Sequence, residues 1–272
     1  MQVVVATVMR EPGRVLVAGD WHGNTGWACS VIRRLPELLP RESPRIVLHC
    51  GDFGIWPGAE GARYLREVDR ALAEHDAVLW FVDGNHEDHP RLGRVPRVEG
   101  RGRVAERVWH LPRGHRWRWH GRTWLALGGA VSVDRALRRE GLDWWPGEQI
   151  TERQALRVAA DGPADVMLTH DCPALVDHEF GTPPSFWARE DLEAGDVHRR
   201  RLQRVVDAVR PGHLIHGHLH RAYLRTVDMP HGPVRVAGLD CDGLPVGNWA
   251  VLDVPTMAWL KIPLGPKGPH EE

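Results

Sequence analysis

Three stretches of the chain share one design: VLVAGDWH at residues 15–22, IVLHCGD at 46–52 and VLWFVDGNH at 78–86. Each is a short apolar run that ends in glycine and a polar cluster, which is typical of a buried strand followed by a loop. Residues 25–39 and 60–74, between these runs, have patterns compatible with helices. The order β-α-β-α-β predicts a mainly parallel sheet covered on both faces, with functional residues at the carboxyl ends of its strands.

The second half of the chain has a different texture. Tryptophans alternate with polar residues around His120-Gly121, which predicts a hairpin with a two-residue turn. Further short strands are predicted at residues 125–130, 166–169 and 214–216 and within 234–254. We expect them to form a second, mixed sheet, whereas residues 134–146 and 182–195 lack a core pattern and are predicted to be surface loops or a cap.

Length and composition indicate one globular unit. The chain has 272 residues, of which 42% are hydrophobic and 26% charged, and this is ordinary for a globular protein. We predict a single domain over residues 1–264 and a flexible C-terminal tail over 265–272. The formal net charge of −1 gives no strong overall field, so long nucleic acid and membrane surfaces are not expected partners, and no protein partner is implied.

The cysteines and the apolar runs indicate in which cellular compartment the protein resides. The four cysteines, at positions 29, 50, 172 and 241, form no Cys-x-x-Cys pair, so neither a zinc knuckle nor a disulfide framework is indicated. The N-terminal apolar run has no basic segment before it and no small-residue cleavage site after it. Charges interrupt every apolar run before about 20 residues, the length that spans a bilayer. A cytoplasmic protein without membrane insertion is therefore predicted.

Five polar clusters follow apolar runs, and together they indicate a metal site. They contain Asp20 and His22, Asp52, Asn85 and His86, His170, and His218 and His220. In an extended segment, side chains at i and i+2 project from the same face, so the first and last clusters can each aim two side chains at one point. A lone histidine is usually a surface or core residue. Burying five such clusters unpaired would cost several kcal/mol each, and a metal removes that cost.

The ordered series Asp-x-His, Gly-Asp, Gly-Asn-His-Glu, His and Gly-His-x-His resembles that of the calcineurin-like metallophosphoesterases. The resemblance runs from Asp20 to His220 and implies an α/β fold in which two mixed β-sheets pack as a sandwich flanked by helices. It also implies two divalent metal ions at the sheet edge. Asp20, His22 and His220 would bind one ion, and Asn85, His170 and His218 the other, with Asp52 bridging them.

The chemistry of these residue types agrees with that allocation. Two cations that share a phosphate need a common anionic ligand, which suits Asp52. His86 is not among the implied ligands and is predicted to protonate the leaving oxygen of the substrate. Because it directly follows Asn85, we expect it to point to a different spot. Ligands limited to imidazole, carboxylate and amide suit Mn, Fe, Zn, Ni or Co, and we expect Mn to support activity best.

Two positions depart from the family pattern. The protein-phosphatase and dinucleoside-tetraphosphatase branch carries an Asp and an Arg after its Gly-Asp, where this chain has Ile55 and Trp56. Losing the arginine removes a bidentate phosphate contact that matters most for a dianionic monoester. A diester substrate is therefore favoured. Weaker candidates for substrate contact are Asn24 near the first cluster, and Arg135 and Trp144 in the predicted cap.

The sequence thus predicts a metal-dependent phosphodiesterase for small nucleotide esters, including 2′,3′-cyclic ones, with some phosphomonoesterase activity. The likeness to compact bacterial and phage members supports the nucleotide substrate by analogy. Three alternatives stay open: a single-strand nuclease, a phosphoprotein phosphatase, and a non-catalytic binding protein that metals only stiffen.

Overall fold

A computed structural model describes residues 10–177, 183–244 and 246–261. The predicted C-terminal tail, residues 265–272, lies outside the described residues, and the domain boundary at residue 264 stays a prediction. Within the described part of the chain, no helix is both long enough and apolar enough to cross a membrane.

Fourteen strands and six α-helices are numbered in chain order over the described residues. The strands are β1 Arg14–Ala18, β2 Arg45–His49, β3 Ala77–Phe81, β4 Arg97–Val98, β5 Arg101–Arg103, β6 Val108–His110, β7 Arg116–Trp119, β8 Arg122–Leu127, β9 Val166–Thr169, β10 His213–His216, β11 Tyr223–Met229, β12 Gly232–Gly238, β13 Trp249–Asp253 and β14 Ala258–Lys261. The helices are α1 Thr25–Ile32, α2 Leu35–Leu38, α3 Gly58–Glu74, α4 His89–Arg94, α5 Glu152–Ala160 and α6 Arg189–Val209.

The strands form two mixed sheets. One has eight strands in the order β14-β13-β1-β2-β3-β6-β5-β4, and the other has six in the order β11-β12-β10-β9-β8-β7. In the first sheet β1, β2, β3 and β6 are parallel neighbours, and in the second β8, β9, β10 and β12 are. The predicted α/β sandwich of two mixed sheets with flanking helices is confirmed.

Strand alternation divides the core into three layers. Val17 and Leu48 of the first sheet face Ala126 and Ile215 of the second, and all four side chains are fully buried or nearly so. The opposite face of the first sheet packs on α1 and α3, and that of the second on α5 and α6. Because both faces of each sheet are covered, a ligand can approach the sheets only at the strand ends, where the polar clusters lie.

The structure differs from the sequence prediction at three segments. The helix predicted over residues 25–39 is broken between α1 and α2, where Pro36 lacks the N–H that would continue the hydrogen-bond ladder. Residues 125–127 belong to the second arm of the Trp-rich hairpin rather than to a separate strand. The predicted loop at residues 182–195 contains the start of α6, which begins at Arg189.

Candidate metal centre

The seven predicted metal ligands lie just beyond strand ends of the two sheets. Asp20, Asp52 and Asn85 follow β1, β2 and β3, which are adjacent parallel strands of the first sheet. His170 follows β9, and His218 and His220 follow β10, its parallel neighbour in the second sheet. Parallel strands end at the same edge, so the sandwich brings both sets of loops to one place.

The geometric centre of the site is one oxygen of Asp52. Its Oδ2 lies 3.5 Å from His22 Nε2, 3.7 Å from His86 Nε2 and 3.4 Å from His170 Nε2. These spacings exceed ordinary hydrogen-bond lengths, so the oxygen is surrounded by ring nitrogens rather than bonded to one of them. Asp52 Oδ1 accepts a hydrogen bond from the His86 backbone N–H at 2.9 Å.

Three overlapping groups of donor atoms lie within 4.8 Å of one another: Asp20, His22 and His220; His22, Asp52 and His86; and Asp52, His170 and His218. The first group has the three residues of one half that the family resemblance implied, and the third has His170 and His218 of the other half together with the bridging Asp52. Asp20 Oδ1 is 3.6 Å from His220 Nε2, and its carboxylate also accepts the His218 backbone N–H. Asp52 links the second and third groups.

Hydrogen bonds on the far side of two imidazoles show that a cation fits. His170 Nδ1 lies 2.7 Å from the Cys50 carbonyl oxygen and must donate to it. In the neutral ring this leaves a lone pair on Nε2, which lies 3.0 Å from Asn85 Oδ1 and faces the Asp52 carboxylate. Three acceptors then converge, and only a proton or a metal ion between them removes the repulsion.

His22 repeats this arrangement in the other half of the site. Its Nδ1 lies 3.1 Å from Asp242 Oδ1, so the ring donates to that carboxylate and turns its Nε2 towards Asp52. A carboxylate behind a histidine fixes its tautomer and increases its basicity, as is usual for metal ligands.

The pKa values of three site histidines are raised by the negative charge of neighbouring carboxylates. Burial alone would lower the pKa of His22, but its hydrogen bond to Asp242 and the nearby Asp52 carboxylate raise it to about 11. Burial is likewise outweighed at His170, where Asp52 raises the pKa to about 10, and at His220, where Asp20 and Cys241 raise it to about 10. The two buried carboxylates therefore require positive charge beside them, which divalent ions supply.

Glycines let the backbone approach the carboxylates. A Cβ at Gly84 would lie 2.0 Å from Asp52 Oδ1, and one at Gly217 would lie 2.1 Å from Asp20 Oδ2. Neither contact is possible for an L side chain, which explains the Gly in the Gly-Asn-His-Glu and Gly-His-x-His motifs.

Backbone strain is concentrated at the same residues. Ten non-glycine residues in the described chain have φ in the left-handed region, and five of them are Asp20, His22, Asp52, His218 and His220. Such conformations cost free energy and persist only where the surroundings impose them, as functional sites do. Half of the non-glycine residues with this conformation in the described chain are therefore candidate ligands.

Ser132 and Glu148 complete the buried side of the site, and the sequence patterns did not single out either of them as site residues. Asn85 Nδ2 donates to Ser132 Oγ at 3.0 Å, and this hydroxyl donates to Glu148 Oε2 at 2.6 Å. The chain of bonds fixes the amide so that its oxygen faces His170. Burial raises the pKa of Glu148 to about 7. The position of Ser132 shortly after β8 could have marked it as a site residue, whereas no sequence pattern marks Glu148.

The loop after β12 supplies the other missed residues. Asp242 holds His22, and Asn24 Nδ2 donates to Asp242 Oδ2 at 2.7 Å while its Oδ1 caps α1 by accepting from the Trp27 N–H. The Cys241 thiol contacts His220 and contributes to its raised pKa. Asn24 is therefore placed to support His22 through Asp242.

The orientation of the His86 side chain differs from the predicted one. Its Nε2 lies 3.1 Å from Asn85 Nδ2, because residues 85–87 form a bend rather than an extended segment and the two side chains converge. Glu87 does not hold His86, since its carboxylate accepts the Gly54 and Gly84 N–H groups. Trp56, at the position of the family's arginine, donates from Nε1 to the His86 carbonyl at 3.0 Å.

Two arginines of the 134–146 segment are paired with carboxylates. Arg138 binds Asp134 through Nε at 2.6 Å, and both charges act on the pKa of His86, which burial lowers. Arg135 is bound to Asp191 at 2.8 Å and lies over the Trp144 ring at 5.6 Å. Arg135 and Trp144 are thus in contact with each other in the 134–146 segment, as part of a packed cluster tied to α6.

Comparisons with known proteins agree with this geometry. Residues 13–222 match the family model described as calcineurin-like phosphoesterase. TT1561 of Thermus thermophilus has the same fold, with a TM-score of 0.52, 14% identity and coverage of 91% of this chain and 97% of its own. GAP50, the anchor in the inner membrane complex of Plasmodium, is 12% identical with a TM-score of 0.47 over 89% of this chain and 81% of its own.

A protein serine/threonine phosphatase from Saccharomyces cerevisiae is 12% identical, with a TM-score of 0.39 over 89% of this chain and 74% of its own. Among curated proteins, no significant sequence match is found. The family match covers well over half of the chain and agrees with the sandwich fold and with the donor groups at its edge. The chain therefore belongs to the calcineurin-like phosphoesterase family and is a metal-dependent phosphoester hydrolase.

Proposed function

We propose that the protein is a binuclear phosphodiesterase that hydrolyses small nucleotide esters, including 2′,3′-cyclic nucleotides, and has some phosphomonoesterase activity. The observation that carries this proposal is the surroundings of Asp52 Oδ2, which three Nε2 atoms from three different loops approach within 3.7 Å. A shared carboxylate between two nitrogen-rich groups is the arrangement that a pair of cations requires.

The ligand roles follow from the two half-sites. Asp20, His22 and His220 would hold one cation, Asn85, His170 and His218 the other, and Asp52 would touch both. When bound, two such ions activate a water molecule and neutralise the developing charge on phosphate oxygens. The donors are nitrogen and oxygen atoms, which suits Mn, Fe, Co, Ni or Zn, and we propose Mn.

His86 is proposed as the general acid. Its Nε2 lies 3.7 Å from Asp52 Oδ2 and 3.1 Å from Asn85 Nδ2, at the centre of the site, where the leaving oxygen of a bound ester would lie. The backbone on both sides of the ring is fixed, since its N–H is bound by Asp52 and its carbonyl by Trp56. These two backbone bonds, together with the contact between Nε2 and Asn85 Nδ2, position the imidazole.

The charges around His86 favour a diester substrate. A phosphate monoester dianion gains most from an unpaired arginine, but Arg138 and Arg135 are each held by a carboxylate. Trp56 stands where the protein-phosphatase and dinucleoside-tetraphosphatase branch of the family carries its phosphate-binding arginine. A diester carries one negative charge and depends less on these contacts. That the substrate is a small nucleotide diester, and that the protein is cytoplasmic, remain predictions from the sequence.

The test is hydrolysis of bis-p-nitrophenyl phosphate, p-nitrophenyl phosphate and 2′,3′-cyclic AMP by metal-stripped protein with Mn, Ni, Co, Zn or Mg added back. We expect metal-dependent turnover, highest with Mn, and a preference for the diesters. A preference for the monoester would contradict the diester assignment. Failure to hydrolyse the cyclic nucleotide while the nitrophenyl diester is cleaved would contradict the proposed substrate but not the chemistry.

A further inference from the structure

Positive charge is concentrated in one segment of the chain, and the remaining residues are acidic overall. Residues 91–122 contain ten arginines and two glutamates, which gives a formal charge of +8, while the whole chain carries −1. This segment runs from within α4 through β4, β5, β6 and β7 to the start of β8, and it lies at the edge of the two sheets opposite β14 and β11. One edge of the sandwich is therefore strongly basic.

A cavity of about 630 Å³ opens at this edge. Three arginines and three histidines contribute to its walls: Arg97, Arg113, Arg157, His89, His110 and His115. The volume is within the range of small-molecule sites. None of the candidate metal ligands lines it, and neither does His86. The cavity is thus distinct from the metal centre, although Asp83 and His89 in its wall bracket the loop that carries Asn85 and His86.

One of the arginines is neutralised inside the wall. Arg113 Nε donates to Asp83 Oδ2 at 2.8 Å, and its Nη2 lies 2.6 Å from the same oxygen. His110 Nε2 lies 3.2 Å from Asp83 Oδ1 and donates to it. Asp83 and Arg113 therefore form a structural pair that leaves no net charge for a ligand.

The other two arginines keep their charge for a ligand. Arg97 makes one long contact, from Nη1 to the Gly100 carbonyl at 3.4 Å, and Arg157 donates from Nη2 to the Arg113 carbonyl at 2.9 Å. Over the described residues, no carboxylate lies within salt-bridge distance of either guanidinium. Asp161 is the one further acid in the cavity wall, so the cavity retains a positive excess.

Unpartnered imidazole nitrogens point to a missing polar ligand. His110 is only 6% exposed, and with Nε2 bound to Asp83 its buried Nδ1 has no hydrogen-bond partner in the described chain. His89 Nε2 is also buried without a partner. A buried polar atom left unpaired costs about 1–3 kcal/mol. Both nitrogens are closed to solvent, so a ligand hydroxyl or base edge would recover this cost only after a small movement of the surrounding side chains.

We infer that this cavity is a second ligand site, separate from the metal centre, that binds a phosphate-bearing anion of mononucleotide size. Arg97 and Arg157 hold the phosphate, and the free imidazole nitrogens accept hydrogen bonds from ligand N–H or O–H groups. Free phosphate and a nucleotide share the chemistry that the arginines recognise, but only the nucleotide satisfies the histidines as well.

Equilibrium dialysis of metal-loaded protein against radiolabelled inorganic phosphate tests the site. We expect two bound phosphates per chain, one at the metal centre and one in the cavity. Asp52→Asn should remove the first and Arg97→Ala should weaken the second about tenfold, since a charge-assisted hydrogen bond contributes on that order. Arg94→Ala is the matched control, because Arg94 is exposed on α4 and does not line the cavity.

AMP, offered to the Asp52→Asn protein so that it is not hydrolysed, distinguishes the two sources. Tighter Arg97-dependent binding of AMP than of phosphate identifies a nucleotide site, and equal binding identifies a phosphate site. A single phosphate that Asp52→Asn removes and Arg97→Ala leaves in place would overturn the inference. Equal weakening by Arg94→Ala and Arg97→Ala would also overturn it, since it would show a diffuse field rather than a site.

Discussion

The two halves of the metal centre are built with different degrees of protection. In the outer half, the side chains of His22 and His220 are 24% and 43% exposed, and His22 is oriented by the part-exposed carboxylate of Asp242. In the inner half His170 is fully buried, its ring is fixed by the Cys50 carbonyl, and Asn85 is fixed by Ser132. Buried hydrogen bonds, one of them to a backbone carbonyl, fix the ligands of the inner half, whereas a surface loop fixes His22 in the outer half. Substitutions should therefore weaken metal binding more easily in the outer half.

Removing the residue between the halves should have the largest effect. Asp52→Ala is expected to abolish binding of both metals and to reduce turnover at least about a thousandfold, because both halves lose their shared anion. Metal content by mass spectrometry after dialysis, measured with hydrolysis of bis-p-nitrophenyl phosphate, checks this. Asp228→Ala, an exposed acid on β11, is the control. Retention of two metals per chain would contradict the bridging role.

His86→Ala should separate chemistry from metal binding. We expect both metals to stay bound, and the rate to fall roughly 10²- to 10⁴-fold for 2′,3′-cyclic AMP, whose leaving group needs a proton. The fall should be much smaller for p-nitrophenyl esters, because p-nitrophenolate leaves without one. Equal losses for the two kinds of substrate would rule out general acid catalysis by His86. Loss of a metal would make His86 a ligand.

Asp242→Ala should loosen the outer half alone. Removing the carboxylate behind His22 is expected to weaken one of the two metals about 10- to 100-fold, and calorimetric titration should show the other metal unchanged. Asp242→Asn keeps an oxygen acceptor for His22 Nδ1 and should restore much of the affinity. If both metals weakened equally, the distinction between a loosely held and a tightly held half would be wrong.

Glu148→Gln, in the inner half, should change how the free energy of unfolding depends on pH. Burial raises the pKa of Glu148 to about 7, so its contribution to stability is present below its ordinary pKa of 4.5 and is lost as pH rises through 7. From pH 5 to pH 8, wild type should therefore lose up to about 3 kcal/mol of unfolding free energy relative to Glu148→Gln.

Urea unfolding of the metal-free proteins at the two pH values measures this difference without a contribution from metal affinity. Glu106→Gln, at an exposed position, is the control for removal of a carboxylate. Parallel changes in wild type and Glu148→Gln between the two pH values would contradict the assigned burial cost.

The strand ends and the ligand types could be predicted from local sequence. Each apolar run that ends in Gly-Asp, Gly-Asn or Gly-His became a buried strand with its polar cluster at the carboxyl end, because strand burial and left-handed loop residues are local properties. Local pattern failed where a longer-range contact decides the outcome. The acid-rich start of α6 has no apolar stripe at residues 190–196, yet it is helical, and Asp191 in its first turn pairs with Arg135 of the distant 134–146 segment.

The sequence by itself determined the family, the sandwich of two sheets and the order in which seven candidate ligands follow strands. Only the tertiary structure decided which side chains orient them, namely Asp242, Ser132 and Glu148, and that His86 turns towards Asp52. It also decided that the basic segment closes around a cavity. The physical reason is that ligand-bearing loops are fixed by the strands before them, whereas supporting groups come from distant loops whose meeting depends on how the two sheets pack.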